Sequence, residues 1–242
     1  FIPIVSKFKP MKIGVLSDIH GNHLALEAVL KEARKLGVEK LLILGDLVGY
    51  YYHSVEVLRQ LEEWSTEMIG GNHEEMMKLA QKDYAFSESV HYKYGSSINI
   101  ALETLSIESI NLLTSLPSQK EINLDGSNIL MCHGSPWDYN FYIYPDSSTS
   151  ILEKCNLVNK DFIFIGHSHY PFVSIQGSTM LANVGSVGQS RDKGGLASWV
   201  VFDTVSKTIV FKHTKYDVEP LVQEVLKIDP HVPYLHKVLV RN

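Results

Sequence analysis

The sequence has few cysteines and no long apolar segment. Cys132 and Cys155 are the only cysteines among its 242 residues. One pair in a chain of this length is not a disulfide framework, so we expect a reducing, cytoplasmic compartment. No apolar run approaches the roughly 18 residues that span a bilayer, which predicts no membrane partner.

The chain also lacks an excess of basic residues. Lys and Arg number 22 against 27 Asp and Glu, and the formal net charge is −5 at pH 7. Proteins that bind a nucleic-acid backbone usually carry a basic face, so no nucleic-acid partner is expected, although a local basic patch stays open. A small molecule is the expected partner, and a homo-oligomer stays open.

The rest of the composition is ordinary for a globular protein, with 45% hydrophobic and 20% charged residues. No repeat, linker or compositional break divides the chain, so we expect one domain over residues 11–242. Met11 is a plausible natural start, and residues 1–10 are interpreted as an N-terminal extension or vector-derived residues. Two lysines and two prolines interrupt these ten residues, which are too short for a signal peptide.

The first 70 residues alternate between short apolar runs and amphipathic stretches. Strands are predicted over residues 12–17, 41–44 and 66–69, with helices over 25–36 and 54–64 between them. Gly37 supplies a stop signal for the first helix. This βαβαβ order predicts an α/β fold with a parallel sheet that is covered by helices.

The remainder of the chain mixes helix and strand signals. Residues 74–116 are mostly helical in pattern and end before Pro117. The Asp125-Gly126 pair is typical of a hairpin turn between two short strands. Residues 218–242 predict one helix followed by an extended tail that Pro230 and Pro233 interrupt. The later strands are predicted over residues 121–124, 129–131, 162–165, 173–175, 179–181, 197–202 and 208–212.

Five of the predicted strands end in residue types that bind metals. In chain order these residues are Asp18, His20, Asp46, Asn72, His133, His167 and His169. Ligands bind at the carboxyl ends of strands in parallel α/β sheets, so we expect these side chains to converge. A single Asp or His after a strand is usually a cap, a turn residue or a surface group. Seven in this arrangement are hard to explain without a common ligand.

The donor types suit a pair of divalent metal ions. Carboxylate, imidazole and amide oxygen together favour Mn²⁺, Fe²⁺, Zn²⁺ or Ni²⁺, and we expect Mn²⁺ first among them. Seven ligands serve two ions if one carboxylate bridges them. The two ions would then lie about 3.5 Å apart, as in other two-metal sites.

Taken together, these motifs resemble the calcineurin-like metallophosphoesterase family. In chain order they are Asp18-x-His20, Gly45-Asp46, Gly71-Asn72-His73-Glu74, Cys132-His133-Gly134 and Gly166-His167-Ser168-His169. Residues 183–189, followed by Arg191-Asp192, resemble the small bacterial and archaeal phosphodiesterase branch. The resemblance covers roughly residues 11–215 and is far more specific for the superfamily than for the substrate. It implies a four-layer αββα sandwich with two facing mixed β-sheets.

The resemblance also implies a role for each residue. Three residues would hold each metal, namely Asp18, His20 and His169 for one and Asn72, His133 and His167 for the other. Asp46 would bridge the two, and His73 matches the catalytic histidine of the family. The implied reaction hydrolyses a small phosphate ester, a phosphodiester for preference, through a hydroxide that bridges both metals. His73 would act as the general acid for the leaving alkoxide.

One departure from the family bears on the substrate. Protein serine/threonine phosphatases of this superfamily continue the Gly-Asp motif with a second Asp and an Arg. Here Gly49 stands where that Asp would orient the histidine, and Tyr50 stands where the Arg would bind phosphate. This weakens a protein-phosphatase function and leaves open what orients His73.

Weaker signals lie outside these motifs. Arg191 follows a Gly-rich turn, and its guanidinium could hold a substrate phosphate. The alternative is a surface arginine paired with Asp192. Aromatic clusters at residues 50–52 and 137–144 could stack a nucleobase over the site. Packing under a lid or a contact between copies is the favoured interpretation for both clusters.

Three functions compete. The leading hypothesis is a phosphodiesterase or phosphatase that acts on a small ester, with nucleotides among the candidates. The second is symmetrical cleavage of dinucleoside polyphosphates. The third is a non-catalytic binding scaffold that keeps the metallophosphoesterase fold, which would be natural if position 73 were not histidine. Because His73 and all seven ligands are present, we expect an enzyme.

Overall fold

A computed structural model describes residues 11–242, and the interpretation of residues 1–10 lies outside this range. Ten strands within it form two five-stranded sheets. The strands are β1 (Lys12–Leu16), β2 (Val38–Ile43), β3 (Ser65–Met68), β4 (Gln119–Leu124), β5 (Ser127–Cys132), β6 (Phe162–Ile165), β7 (Phe172–Gln176), β8 (Thr179–Asn183), β9 (Leu196–Asp203) and β10 (Thr208–Lys215).

Helices connect and cover these strands. They are α1 (His23–Leu36), α2 (Ser54–Leu61), α3 (Asn72–Ala80), α4 (Tyr84–Tyr94), α5 (Ser97–Thr104), α6 (Ile107–Ser115), α7 (Thr149–Asn156), α8 (Glu219–Ile228) and α9 (Tyr234–Leu239). Across residues 11–242, none of the helices combines the length and the apolar character that a membrane crossing requires.

Both sheets are mixed. The first has the order β10-β9-β1-β2-β3, in which β1, β2 and β3 run parallel and β9 is antiparallel to its neighbours. The second has the order β4-β5-β6-β8-β7, in which β5, β6 and β8 run parallel and the edge strands are antiparallel. Each sheet therefore has a group of three parallel strands whose carboxyl ends lie at one edge.

Side chains on alternate faces of the strands build the layers. Ile13 and Val15 of β1 pack with Ile129 and Phe164 of the second sheet in the cluster between the sheets. Leu16 joins the cluster on the other face, which includes five buried residues of α1. On the outside of the second sheet, Cys155 of α7 joins a cluster with residues of β5, β6 and β8, and the helix also contacts β7. The predicted four-layer αββα sandwich is confirmed.

Local signals fixed several of the predicted boundaries. The first helix begins where the Asn22 side chain accepts a hydrogen bond from the backbone N–H of Ala25, and it ends at Gly37 in the left-handed conformation, with φ 73°. Asp125 and Gly126 both have positive φ and join β4 to β5 in the predicted hairpin.

The helical region after residue 74 consists of α3 to α6. The predicted elements do not include α7, a short helix with one buried residue, Cys155.

The prediction that residues 218–242 form one helix and then an extended tail is wrong for the tail. A second helix, α9, begins directly after Pro233, whose φ is −63°. Proline is favourable at the start of a helix because its fixed φ suits the first turn and it has no N–H left unpaired there. Leu235 and Leu239 of α9 pack with α8 and with the three tyrosines at positions 50–52. The C-terminal helices therefore belong to the folded core.

Asp229, between α8 and α9, ties the C-terminal helices to the rest of the molecule. Its buried carboxyl group accepts hydrogen bonds from the Tyr52 hydroxyl (2.9 Å), the Ser96 backbone N–H (2.9 Å) and the Ser96 hydroxyl (2.6 Å). Removing this acceptor would leave three donors without a partner in a region of low water access.

We therefore expect Asp229→Ala to lower the free energy of unfolding by about 2–4 kcal/mol, because several buried donors lose their acceptor at once. Urea denaturation of the full chain measures this change. Glu88→Ala, at an exposed position of α4, is the matched control and should change stability by less than about 0.5 kcal/mol. Equal stabilities of the two variants would show that Asp229 does not hold the C-terminal helices in place.

Candidate metal centre

All seven predicted ligands lie where the carboxyl ends of the two sheets face each other. Asp18 and His20 follow β1, Asp46 follows β2, and Asn72 is the first residue of α3 after β3. The second sheet contributes the other three residues from the ends of β5 and β6, namely His133, His167 and His169. Asn72 is partly buried and the other six are buried.

The ligand atoms form two groups that share a centre, and a third group of His20, Asp46 and the adjacent His73 overlaps both. Asp18, His20 and His169 have ligand atoms within 4.8 Å of one another, and so do Asp46, His133 and His167. Oδ2 of Asp46 lies between the groups, 3.8 Å from Nε2 of His20 and 3.2 Å from Nε2 of His133. Each group has the size of one metal site, and Asp46 can be shared by both.

Backbone carbonyls fix which nitrogen three of the histidines present to this centre. Nδ1 of His20, His133 and His169 lies 3.1, 2.7 and 2.7 Å from a carbonyl oxygen, and these oxygens belong to Val48, Leu44 and Gln189. A carbonyl oxygen only accepts, so Nδ1 carries the hydrogen. The Nε2 lone pairs are therefore free to bind a cation, the arrangement in which a hydrogen-bonded imidazole serves as a metal ligand.

His167 has the opposite orientation. Its Nε2 lies 3.1 Å from the carbonyl oxygen of Asn140, so the hydrogen is on Nε2 and Nδ1 is the free nitrogen. Asn72 completes this group, with Oδ1 3.0 Å from Nε2 of His133. Because Nε2 of His133 already faces the carboxylate of Asp46, the amide oxygen and the carboxylate converge on the same point.

These contacts leave the lone pairs of several buried nitrogen and oxygen atoms facing one another, and a divalent cation between them would be a suitable partner. Nε2 of His20 and Nε2 of His169 are 3.2 Å apart, although both are acceptors when their Nδ1 atoms carry the hydrogens. Oδ1 of Asp18 is buried and has no hydrogen-bond partner among the described residues. Buried acceptors without a donor are costly, and a bound cation removes that cost. The donor set suits borderline divalent metals.

Electrostatics at His133 support the same conclusion. Burial alone would lower the pKa of His133, but the carboxylates of Asp46 and Asp18 outweigh burial and raise it to about 10. Burial lowers the pKa of His167 and of His169 to about 4, although Asp18 opposes the shift at both residues and Asp46 also opposes it at His167. The two carboxylates therefore favour a proton on His133, and a divalent cation bound there would replace that proton.

The ligand loops have unusual backbone geometry. Five of the seven residues have positive φ, with 54° at Asp18, 52° at His20, 54° at Asp46 and 64° at both His167 and His169. Such conformations cost non-glycine residues about 1–3 kcal/mol each and persist only where neighbouring structure enforces them. At Asp18 the enforcing contacts come from the Gly-rich loop, since its carbonyl accepts hydrogen bonds from Gly188 N (2.9 Å) and Ser186 Oγ (2.7 Å).

Glu74 has a positioning function that the sequence did not reveal. Its buried carboxylate accepts four backbone hydrogen bonds, from Gly71 (2.8 Å), Asp46 (2.8 Å), Leu47 (2.8 Å) and Val48 (3.2 Å). It therefore locks the Asp46 loop to the start of α3. The Glu stands three residues after the N-cap of α3, as in a capping box, and this spacing could have signalled the role.

His73 lies beside the ligands, as its place in the chain predicts. Nε2 is 4.0 Å from Oδ2 of Asp46, while Nδ1 is buried and has no partner among residues 11–242. The ring packs against Tyr50 and His20, with centroids 4.7 Å apart in each pair, and against Tyr94 at 5.7 Å. Burial lowers the pKa of His73 to about 3, although the Asp46 carboxylate opposes this, so the imidazole is neutral at pH 7.

Gly49 explains why no carboxylate orients this ring. A Cβ at position 49 would overlap the Nδ1 side of the His73 imidazole, and Gly49 itself has φ 92°. A side chain there would both clash and strain the backbone. The aromatic rings of Tyr50 and Tyr94 hold His73 in place instead.

Arg191 lies at the edge of the centre. Its backbone N–H donates to the carbonyl of His169 (3.4 Å), its Nη2 donates to the Tyr50 hydroxyl (3.4 Å), and its Nε is buried without a partner. Within residues 11–242 no carboxylate lies within 4.0 Å of the guanidinium. Asp192 accepts hydrogen bonds from Ser190 and Lys193 instead, so the alternative of an Arg191–Asp192 pair is not what the structure shows.

The two aromatic clusters differ. The side chains of Tyr50, Tyr51 and Tyr52 are buried and pack against α8 and α9, in agreement with a packing function. Tyr142 and Tyr144 of the second cluster are exposed, and the Tyr142 ring stacks on His167 with centroids 3.8 Å apart.

Known proteins resemble this chain in sequence and in fold. A relative from Methanocaldococcus jannaschii, an uncharacterised protein, is 31% identical in an alignment that covers 89% of this chain and 92% of the relative. A hypothetical protein of Pyrococcus horikoshii has a similar fold, with a TM-score of 0.80, 22% identity and coverage of 96% and 98% of the two chains. A metallophosphoesterase from Sphaerobacter thermophilus gives a TM-score of 0.77, 24% identity and the same coverage.

The family profile of the calcineurin-like phosphoesterase superfamily domain matches residues 11–207, which include all seven predicted ligands, His73 and Arg191. The match spans both sheets as far as the turn before β10. Members of this family are metal-dependent phosphoesterases. The chain belongs to the calcineurin-like phosphoesterase superfamily.

Proposed function

We propose that this chain is a phosphodiesterase that hydrolyses small phosphate esters with the help of two divalent cations. The observation that carries the proposal is the convergence of unpaired acceptors from both sheets on Oδ2 of Asp46. Three residues would hold each cation beside the shared Asp46, namely Asp18, His20 and His169 on one side and Asn72, His133 and His167 on the other.

Cations in these positions would polarise the phosphoryl group and activate water for attack on phosphorus. The mixture of imidazole, carboxylate and amide donors makes Mn²⁺ our first choice for assays. Both cysteines are free and buried, which supports a reducing, cytoplasmic compartment.

Arg191 is proposed to bind the substrate phosphate. A guanidinium that is partly buried, with no carboxylate partner and with Nε unpaired, is a ready site for an anion. It reaches the hydroxyl of Tyr50, the residue that replaces the arginine of the protein phosphatases. The positive charge missing at position 50 would thus be supplied from position 191.

The number of positive charges beside the proposed cations bears on the substrate class. A phosphate monoester carries about −1.5 to −2 at pH 7, whereas the phosphate of a diester carries a single negative charge. One guanidinium beside the cations suits the diester better. Position 49 also has no room for the carboxylate that protein phosphatases use.

With Mn²⁺ present, we expect faster turnover of bis-p-nitrophenyl phosphate than of a phosphoserine peptide, because the site lacks the additional Asp and Arg. Spectrophotometric release of p-nitrophenol and a phosphate-release assay measure the two rates. The opposite ranking would contradict the interpretation of Gly49 and Tyr50. Failure to hydrolyse either substrate with metal bound would favour the scaffold function.

His73 is proposed to assist the leaving group. It directly follows Asn72 on the same helix, and its Nε2 lies 4.0 Å from the shared carboxylate, close enough to form a third group with His20 and Asp46. Since burial keeps the imidazole neutral, the negative charge of a bound phosphate is needed to raise its pKa before it can act as an acid.

We expect His73→Ala to lower kcat by about 10²–10⁴-fold on an ester with a poor leaving group, the range for loss of general acid catalysis. The decrease should be much smaller with p-nitrophenolate, which leaves without a proton. Steady-state kinetics on the two esters measure the contrast. Equal decreases on both would refute the general-acid role and indicate that neutral His73 binds the phosphoryl group or holds the shape of the site.

Metal content separates this effect from loss of the centre. His73→Ala should keep its metal, whereas Asp46→Ala should lose metal and activity together because Asp46 is shared by both groups. His213→Ala, at an exposed histidine on β10, is the matched control and should change neither quantity.

A further inference from the structure

An irregular segment runs past the metal centre between β5 and α7. Its side chains alternate in direction around residue 142. Phe141 and Ile143 pack inward with the cluster on the outer side of the second sheet. Tyr142 and Tyr144 point outward and are 41% and 36% exposed. The inward residues anchor the segment, so the two outward tyrosines form a fixed aromatic surface.

This surface begins at a predicted metal ligand. The Tyr142 ring stacks on His167 with centroids 3.8 Å apart and an angle of 26° between the planes. The carbonyl of Asn140 accepts the hydrogen bond from Nε2 of the same histidine at 3.1 Å. The Tyr144 ring is nearly parallel to that of Tyr142, at 7° with centroids 5.7 Å apart. The aromatic surface therefore extends outward from the metal centre in a defined direction.

At its far end lies an open cavity of about 470 Å³, lined by Tyr144, Pro145, Asp146 and Tyr170. Tyr170 directly follows the predicted ligand His169, and its ring centroid is 6.0 Å from that of Tyr144. Tyr144 and Tyr170, which line the cavity, both lie in segments that contact the metal centre. The volume falls within the range of small-molecule sites, about 300–1,000 Å³.

We propose that this cavity is a nucleobase subsite, and that the substrate is a nucleoside phosphodiester whose base stacks on Tyr144 while its phosphate lies at the metal centre. The subsite rests on the proposed function for the position of the phosphate. Exposed aromatic rings provide stacking surfaces that accept any base. Asp146 is exposed at the rim, and its carboxylate can accept hydrogen bonds from the amino or imino groups of a base.

A contact with a second copy of the chain accounts less well for the same surface. A stable interface buries about 800 Å² on each partner, whereas the exposed part of this surface consists of two rings beside a cavity. A contact between copies does not require the aromatic surface to begin at His167 or to include Tyr170, the residue after His169. This arrangement is what a subsite beside a phosphate at the centre requires, because Tyr142 stacks on His167 and Tyr170 of the cavity directly follows His169.

Isothermal titration calorimetry on the Mn²⁺-loaded full chain tests the subsite with AMP and ribose 5-phosphate, which differ by the base. The wild type should bind AMP about 5- to 100-fold more tightly, the range for stacking of one base on an aromatic ring. Tyr144→Ala should reduce AMP binding to the level of ribose 5-phosphate and leave ribose 5-phosphate unchanged. Tyr144→Trp should retain the preference for AMP.

Two further variants serve as controls. Tyr92→Ala removes a tyrosine on α4 that is 84% exposed, and it should change neither affinity. Arg191→Met should weaken both ligands by about 10-fold or more, because it removes a charged hydrogen-bond partner of the shared phosphate.

Equal binding of AMP and ribose 5-phosphate by the wild type would overturn the subsite, and so would equal losses of both ligands in Tyr144→Ala. A change in sedimentation velocity of Tyr144→Ala with unchanged AMP binding would overturn it in favour of a contact between copies. Hydrolysis of methyl p-nitrophenyl phosphate, which has no base, tests the proposed phosphodiesterase function separately. Its turnover without a preference for AMP would refute the subsite alone.

Discussion

The structure depends on one buried carboxylate, that of Asp46. It is 1% exposed, and its two oxygens have different partners. Oδ1 accepts the backbone N–H of His73 at 2.8 Å, while Oδ2 faces the imidazoles of His20 and His133. An ionised carboxylate buried among lone pairs is unfavourable unless positive charge accompanies it. In the function proposed above, a cation supplies that charge.

Two sheets are needed to build this arrangement. The first sheet delivers Asp18, His20 and Asp46 at the ends of parallel strands, and the second delivers the three remaining histidines at the ends of β5 and β6. Because the sheets pack face to face, ligands far apart in the chain meet at one edge. The left-handed backbone at five of the predicted ligands is held by contacts such as those of Glu74 and the Gly-rich loop, so the shape of the centre is maintained at a cost in folding free energy.

Residues that follow strands were predictable, because the period of apolar residues fixes where a strand ends. This is why the positions of Asp18, His133 and His167 were placed correctly from the sequence alone. The surroundings of His73 were not predictable, since Tyr94 comes from α4 and its contact with His73 depends on how helices pack. The stacking of Tyr142 on His167 was not predictable either, because Tyr142 lies in an irregular segment between β5 and α7, whose path no periodicity in the sequence determines. In the C-terminal segment, Pro233 was interpreted as an interruption although it starts a helix.

Diffraction from crystals of the Mn²⁺-loaded protein, recorded at the manganese absorption edge, tests the central claim most directly. The account predicts two anomalous peaks on either side of the Asp46 carboxylate, one contacted by Asp18, His20 and His169 and the other by Asn72, His133 and His167. A single peak, or peaks away from Asp46 in a protein that hydrolyses phosphodiesters, would contradict it.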